Sequence, residues 1–167
     1  ENAVYTTSVG ARFECVRTDE FGTAWKAPDG RIWTAIVGEL ENGRRITAQK
    51  VVESNALSYC KDRKSHLPTP ADLDAFKSYF DYAHEKRDVR RADLIALFHD
   101  ILPVSGSTRP VLKDFWTDRV GTYDAGYTTR TMPLVFSAES GDIGFPMGGM
   151  RHKPQPTRCV RTWADLQ

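Results

Sequence analysis

Residues Ala56 to Phe76 read ALSYCKDRKSHLPTPADLDAF, and the punctuation of this stretch decides the fold class. A helix ends near Cys60. Ser65-His66-Leu67-Pro68 is a short extended link. A second helix then opens at Thr69, which suits an N-cap, with Pro70 at the first helical position and Asp72 where a capping-box carboxylate belongs. Leu73, Phe76 and Phe80 follow at helical spacing and make one apolar stripe. Working backwards, Gln49 to Arg63 is expected to be helical, with Val52, Ala56, Tyr59 and Cys60 on one face. Working forwards, the second helix is expected to run from Pro70 to about His84. A third is expected over Val89 to Ile101, capped by Asp88, with Leu94, Ile95, Leu97, Phe98 and Ile101 buried.

Strand-like segments lie on either side of these helices. Residues 3–7 and 11–17 are rich in β-branched and aromatic types, and Arg31 to Val37 reads the same way. Residues 18–30 hold Gly22 and the turn signal Pro28-Asp29-Gly30 and read as loop, and Glu41-Asn42-Gly43 reads as a hairpin turn leading into Arg44 to Thr47. Pro103 stops the third helix and a Pro/Ser/Gly loop covers 103–113. Beyond it, Phe115 to Val120, Leu134 to Ala138, Ile143 to Phe145 and Thr157 to Trp163 are expected strands. Gly121 to Pro133 is expected to be a long polar loop, and 146–156 a second irregular segment. Strands, then helices, then strands is the order of an α+β domain with an antiparallel sheet drawn from both ends of the chain, not of a βαβ nucleotide-binding fold. Cys15-Val16-Arg17-Thr18 recurs as Cys159-Val160-Arg161-Thr162, and the echo is read as two strands of one sheet.

The chain has 167 residues, enough for one sizeable core, and its 40% apolar and 27% charged composition is that of an ordinary globule. A net charge of +1 with scattered basic residues gives no electrostatic case for nucleic acid; Arg44-Arg45, Lys61 to Lys64 and Arg87 to Arg91 read as solvated faces. No apolar run approaches the roughly 18 residues of a membrane span, so no insertion is expected from this segment. Opening on Glu1, the chain is expected to be a mature or excised segment of a larger protein.

Catalytic and metal motifs are weak. His84-Glu85 begins like a zincin helix, but Asp88 stands where the second histidine belongs. His66, His84, His99 and His152 share no metal spacing, and no nucleophile elbow or phosphate loop is present. Cys60 and His66 are close enough in sequence for a thiol–imidazole pair, but a cysteine on an apolar helix face reads as a disulfide or a buried thiol. Asp72 and Asp74 read as helix N-terminal carboxylates rather than an acid–base pair. No cofactor is expected; calcium is the one ion left open, because Asp114, Asp118, Asp124 and Asp142 offer oxygen ligands without an EF-hand register.

Four pieces in order carry a resemblance: Asp29-Gly30-Arg31-Ile32-Trp33; the Ala56–Leu73 stretch with its Tyr-Cys and Leu-Pro-Thr; Phe115-Trp116-Thr117; and Arg158-Cys159-Val160-Arg161. Together they resemble the bacterial branch of the C-type lectin-like fold, which includes intimin- and invasin-type adhesin tips and domains related to the formylglycine-generating enzyme. The resemblance covers about residues 29–163. It implies two to three helices on a curved antiparallel sheet with adjacent N- and C-terminal strands, residues 89–101 being an insertion. It implies a buried Trp116 and a disulfide between Cys60 and Cys159. Residues 1–28 are then N-terminal strands, or the tail of a preceding unit, packed on a lectin-like domain over 29–167.

The sugar–calcium motifs of the animal lectins are absent, since Gln155-Pro156 is followed by Thr157, and the active-site cysteine pair of the formylglycine-generating enzyme has no counterpart. The resemblance therefore implies a non-catalytic adhesion domain at the end of an extracellular or surface-anchored bacterial protein. Its ligand would be a protein or glycan on a host or prey cell. An enzyme or degenerate enzyme of the formylglycine-generating type is the alternative. The expected ligand-binding residues are Tyr123, Tyr127 and Arg130 in the first irregular segment, and Met147, Arg151 and His152 in the second. Aromatic and Arg side chains supply contact area and a planar donor fork, and Pro133, Pro146, Pro154 and Pro156 limit loop freedom.

Overall fold

The computed structural model describes residues 3–42, 45–46, 51–52, 55–83, 87–99, 101–102, 111–146 and 153–167. The class is α+β, with antiparallel pairing throughout the strands described.

The largest sheet takes strands from both ends of the chain. Its order is β1 (Val4–Thr6), β2 (Arg12–Thr18), β3 (Gly22–Lys26), β4 (Ile32–Trp33) and β14 (Val160–Arg161). The two copies of the Cys-Val-Arg-Thr echo thus contribute to one sheet, as expected. β4, where the lectin-like resemblance begins, is the neighbour of β14. Strand β3 corrects the loop expected over 18–30. Thr18 pairs with Gly22, and Gly22 takes a left-handed φ of 72° that closes a three-residue hairpin loop, so Thr23-Ala24-Trp25 can run back along β2.

Of the strand expected from Arg31 to Val37 only Ile32–Trp33 forms one, as β4, and β5 (Gly38–Leu40) follows beyond it. The last strand, expected from Thr157 to Trp163, is broken: Thr157 ends β13 (Gln155–Thr157), which pairs with β5, and after a gap β14 pairs with β4. Arg158 turns inward at the break. Its Nε donates to the Thr34 carbonyl at 2.8 Å, and its guanidinium lies over the rings of Phe98 and Phe115.

Two short pairs form, β6 (Arg45–Ile46) with β7 (Val51–Val52) and β8 (Ile101–Leu102) with β9 (Val111–Leu112); β6 lies in the segment expected to follow the hairpin turn, whereas β7, β8 and β9 occupy places expected as helix or loop. Helix α1 accordingly begins at Asn55, not Gln49, and ends at Asp62. Lys64 (φ 55°) reverses the chain, and the Ser65 amide and hydroxyl both donate to the Cys60 carbonyl.

Helix α2 (Pro70–Tyr79) opens with the expected capping box: the Asp72 amide donates to Thr69 Oγ1 and the Thr69 amide to Asp72 Oδ2. It stops before His84 because Phe80 turns to extended backbone and keeps its ring buried. Helix α3 (Arg87–Phe98) ends short of Ile101 at His99, whose φ of 55° breaks the helix.

Phe76 is the centre of the main core. Its ring lies 5.0 to 6.3 Å, centroid to centroid, from Trp33, Phe80, Phe98, Phe115 and Phe136, joining α2 to the large sheet, α3 and the second sheet. A smaller core holds Ala56, Cys60, Leu67, Trp116, Val135 and Cys159. Here Cys60 and Cys159 form a disulfide across a sequence separation of 99, and Cys15 is free. Trp116 is buried and its indole N–H donates to the Leu40 carbonyl at 2.7 Å.

The second sheet is β10 (Phe115–Asp124), β11 (Thr129–Phe136) and β12 (Ile143–Gly144); expected strands lie near all three, but β10 and β11 run on through most of the Gly121–Pro133 segment expected as loop. No described helix is long and apolar enough to cross a membrane.

Candidate recognition surface

The β10–β11 hairpin has two halves of different character. Its base is core: Phe115, Trp116 and Thr117 on β10 and Val135 and Phe136 on β11 are buried. Between Trp116 and Val120 the register shifts through a bulge. The bulge is held by Thr117, which donates to the Leu134 carbonyl and accepts from the Arg119 amide, and by the Asp118 amide, which donates to the Pro68 carbonyl.

Beyond the bulge the ribbon leaves the core. From Asp118 to Thr131 no side chain is buried, on either face. A tight turn closes it: the Ala125 amide donates to the Thr128 carbonyl, the Gly126 amide to Asp124 Oδ1, and Gly126 takes a φ of 102°. Tyr127 stands at this tip and is 97% exposed.

Directly opposed residues share a face, and faces alternate along each strand. Tyr123 opposes Arg130 and Gly121 opposes Met132, which places these four on one face. Phe145, just after β12, lays its ring against them, 6.0 Å from Tyr123 and edge-on. Gly121 makes the approach feasible: a Cβ there would lie 3.0 Å from the Phe145 ring and 2.9 Å from Leu134 Cδ2. The other face carries Val120, Thr122, Asp124, Thr129 and Thr131, all exposed, with Thr122 opposite Thr131.

Of the expected site residues, Tyr123 and Arg130 are therefore cross-strand neighbours and Tyr127 crowns the same ribbon. Met147, Arg151 and His152 lie outside the described residues. Sequence reasoning missed Val120 and Phe145, which are 64% and 46% exposed. Both sat in expected strands, and a strand assignment alone does not say that the sheet runs on into solvent.

A second polar constellation lies at the start of α2. His66 Nε2 is 2.6 Å from Asp72 Oδ2, and His66 Nδ1 is 2.8 Å from Asp165 Oδ2. A carboxylate at each nitrogen favours the doubly protonated imidazolium, which can donate to both. Burial pushes the His66 pKa down, but the hydrogen bonds and charges of Asp72 and Asp165 outweigh it and the net shift is upward. Burial pushes the Asp72 carboxyl up, yet bonds from His66, the Thr69 amide and Arg31 hold it at about 2. Arg31 also pairs with Asp29, which accepts from the Tyr79 hydroxyl.

This group is occupied in structure-building. The Thr69 hydroxyl is engaged as the helix cap, the Thr162 hydroxyl donates to Asp165, and the nearby Cys60 is in a disulfide, so none of them is an activated nucleophile. Among the described residues no cluster of three or more His, Cys, Asp or Glu side chains is arranged to hold a metal ion.

No protein-family model, curated protein or solved structure matches the chain. The lectin-like resemblance therefore rests on the four sequence pieces that carry it, and the outer ribbon buries no side chain from Asp118 to Thr131.

Proposed function

We propose that this chain is a non-catalytic recognition domain of the C-type lectin-like kind, displayed outside a bacterial cell, which attaches to a protein or glycan on another cell through the β10–β11 ribbon. One observation carries the reading: the ribbon from Asp118 to Thr131 buries no side chain, yet it carries Tyr123, Tyr127, Arg130 and Val120, with Phe145 beside it. Exposed apolar and aromatic groups held on paired backbone supply binding area at little ordering cost. The Cys60–Cys159 disulfide is compatible with an oxidising, extracellular setting. On composition, the proposed surface extends to Met147, Arg151 and His152.

The test is attachment of the purified domain to candidate cells and to a glycan array, with Ala substitutions at Tyr123, Tyr127, Arg130 and Arg151. Tyr127→Ala is the sharpest, because so exposed a side chain contributes within about 0.5 kcal/mol to stability. Loss of binding with an unchanged melting curve supports the ribbon. Unchanged binding in all four variants, with loss on altering residues 103–113, moves the site to that loop.

A further inference from the structure

Among the described residues two Thr-x-x-Asp turns share one arrangement, in which the Thr amide and hydroxyl both donate to the Asp carboxylate, and one histidine joins them. In the first, at α2, the Thr69 amide and hydroxyl donate to Asp72 Oδ2. In the second, at the 3-10 turn Trp163–Leu166, the Thr162 amide and hydroxyl donate to Asp165 Oδ2. His66 reaches the same Oδ2 atom in each arrangement, one ring nitrogen to each, across sequence separations of 6 and 99. The turn has little else to hold it: none of its residues is buried, Trp163 is 76% exposed and Leu166 56%.

We propose that His66 is a protonation-dependent latch, whose imidazolium holds the Trp163–Leu166 turn to the start of α2 and whose neutral ring lets that turn go. A neutral imidazole keeps one N–H and turns a lone pair on the other carboxylate. The two carboxylates are unequal. The Asp72 side chain is 2% exposed and carries the closer contact; that of Asp165 is 18% exposed. Facing a lone pair costs most where water cannot intervene, so the remaining proton stays towards Asp72 and the bond to Asp165 is the one lost.

Other charges around the ring fit this order. Arg31 binds Asp72 and keeps it ionised and placed whatever the state of His66. Asp118 on β10 adds negative potential near the ring. On the far side Arg161 pairs with Glu20, which also lies 3.8 Å from Lys64, and that group anchors β14 rather than the turn. The latch is closed below the raised His66 pKa and opens as pH rises through it.

An NMR titration from pH 5 to 9 tests this on the intact chain, following the His66 ring protons and the protection factors of the Thr162 and Leu73 amides. Thr162 donates to Asp165; Leu73 donates to the Thr69 carbonyl inside α2 and reports on the helix. The expected result is a His66 midpoint above the ordinary imidazole range. At that midpoint Thr162 protection falls roughly ten- to hundredfold, the size of one charge-assisted hydrogen bond, while Leu73 is unmoved. H66Q should show low Thr162 protection and no step. D165N, which leaves the buried half of the cluster intact, should lower the His66 midpoint and abolish the step. Thr162 protection that stays constant through the His66 titration, or a step that survives in D165N, overturns the latch.

Discussion

Asp72→Asn isolates the charge at the start of α2 from its hydrogen-bonding shape. Asn keeps a side-chain oxygen for the Thr69 amide, so the cap persists, but the anion that faces His66 and Arg31 is gone. The Asp72 carboxyl titrates at about 2 in the folded chain against an ordinary 3.8. At about 1.4 kcal/mol per pKa unit, that difference corresponds to roughly 2–3 kcal/mol of stability, and no solvent discount applies to a side chain this buried. A carboxyl held below its unfolded value stabilises fully above about pH 4 and loses that contribution as pH falls towards 2. Urea unfolding of both proteins at pH 7, 5 and 3 is the assay. The variant should be weaker by roughly 2–3 kcal/mol at pH 7 and 5, with the gap narrowing at pH 3. The melting temperature at pH 7 should drop by about 5–10 °C for a chain of this size. A deficit under about 1 kcal/mol at pH 7, or one that does not narrow in acid, would refute the reasoning.

Three other outcomes are expected. Trp33→Ala and Trp116→Ala should each cost about 3–5 kcal/mol in chemical unfolding, because both side chains are buried; a Trp116→Ala protein that melts like the parent but loses ligand would assign that residue to the binding surface instead. Replacing both Cys60 and Cys159 with Ala should cost roughly 4–5 kcal/mol, given the separation of 99, and thiol titration of the native parent should find Cys15 alone, with three reactive thiols sinking the pairing. Gly121→Val should displace Phe145 from the ribbon at a cost of about 1–3 kcal/mol, visible as loss of the Tyr123–Phe145 ring contact by NMR; retention of that contact would mean the neighbours yield easily.

Local signals were strong where local chemistry decides. Thr69-Pro70-Ala71-Asp72 specifies a helix start by itself, since the cap, the fixed proline φ and the N3 carboxylate lie within four residues. The stripe Leu73, Phe76 and Phe80 marks a buried face, and the segregation of strands, then helices, then strands along the chain marks α+β. Tertiary structure decided the rest for identifiable reasons. β3 was hidden because Gly22 and Pro28-Asp29-Gly30 look like loop, whereas Gly22 supplies the reversal of a hairpin whose partner strand precedes it. The outer β10–β11 ribbon was hidden because alternation of apolar and polar residues marks a strand only when one face is buried, and beyond Asp118 neither is. Nothing local in His66 distinguishes it from a surface histidine. Its role requires Asp165, brought to it from the far end of the chain by the pairing of β14 with β4 and by the bridge of His66 to Val160. Capping and periodicity are properties of a few consecutive residues and are written in them; which carboxylate meets which imidazole is a property of the assembled sheet.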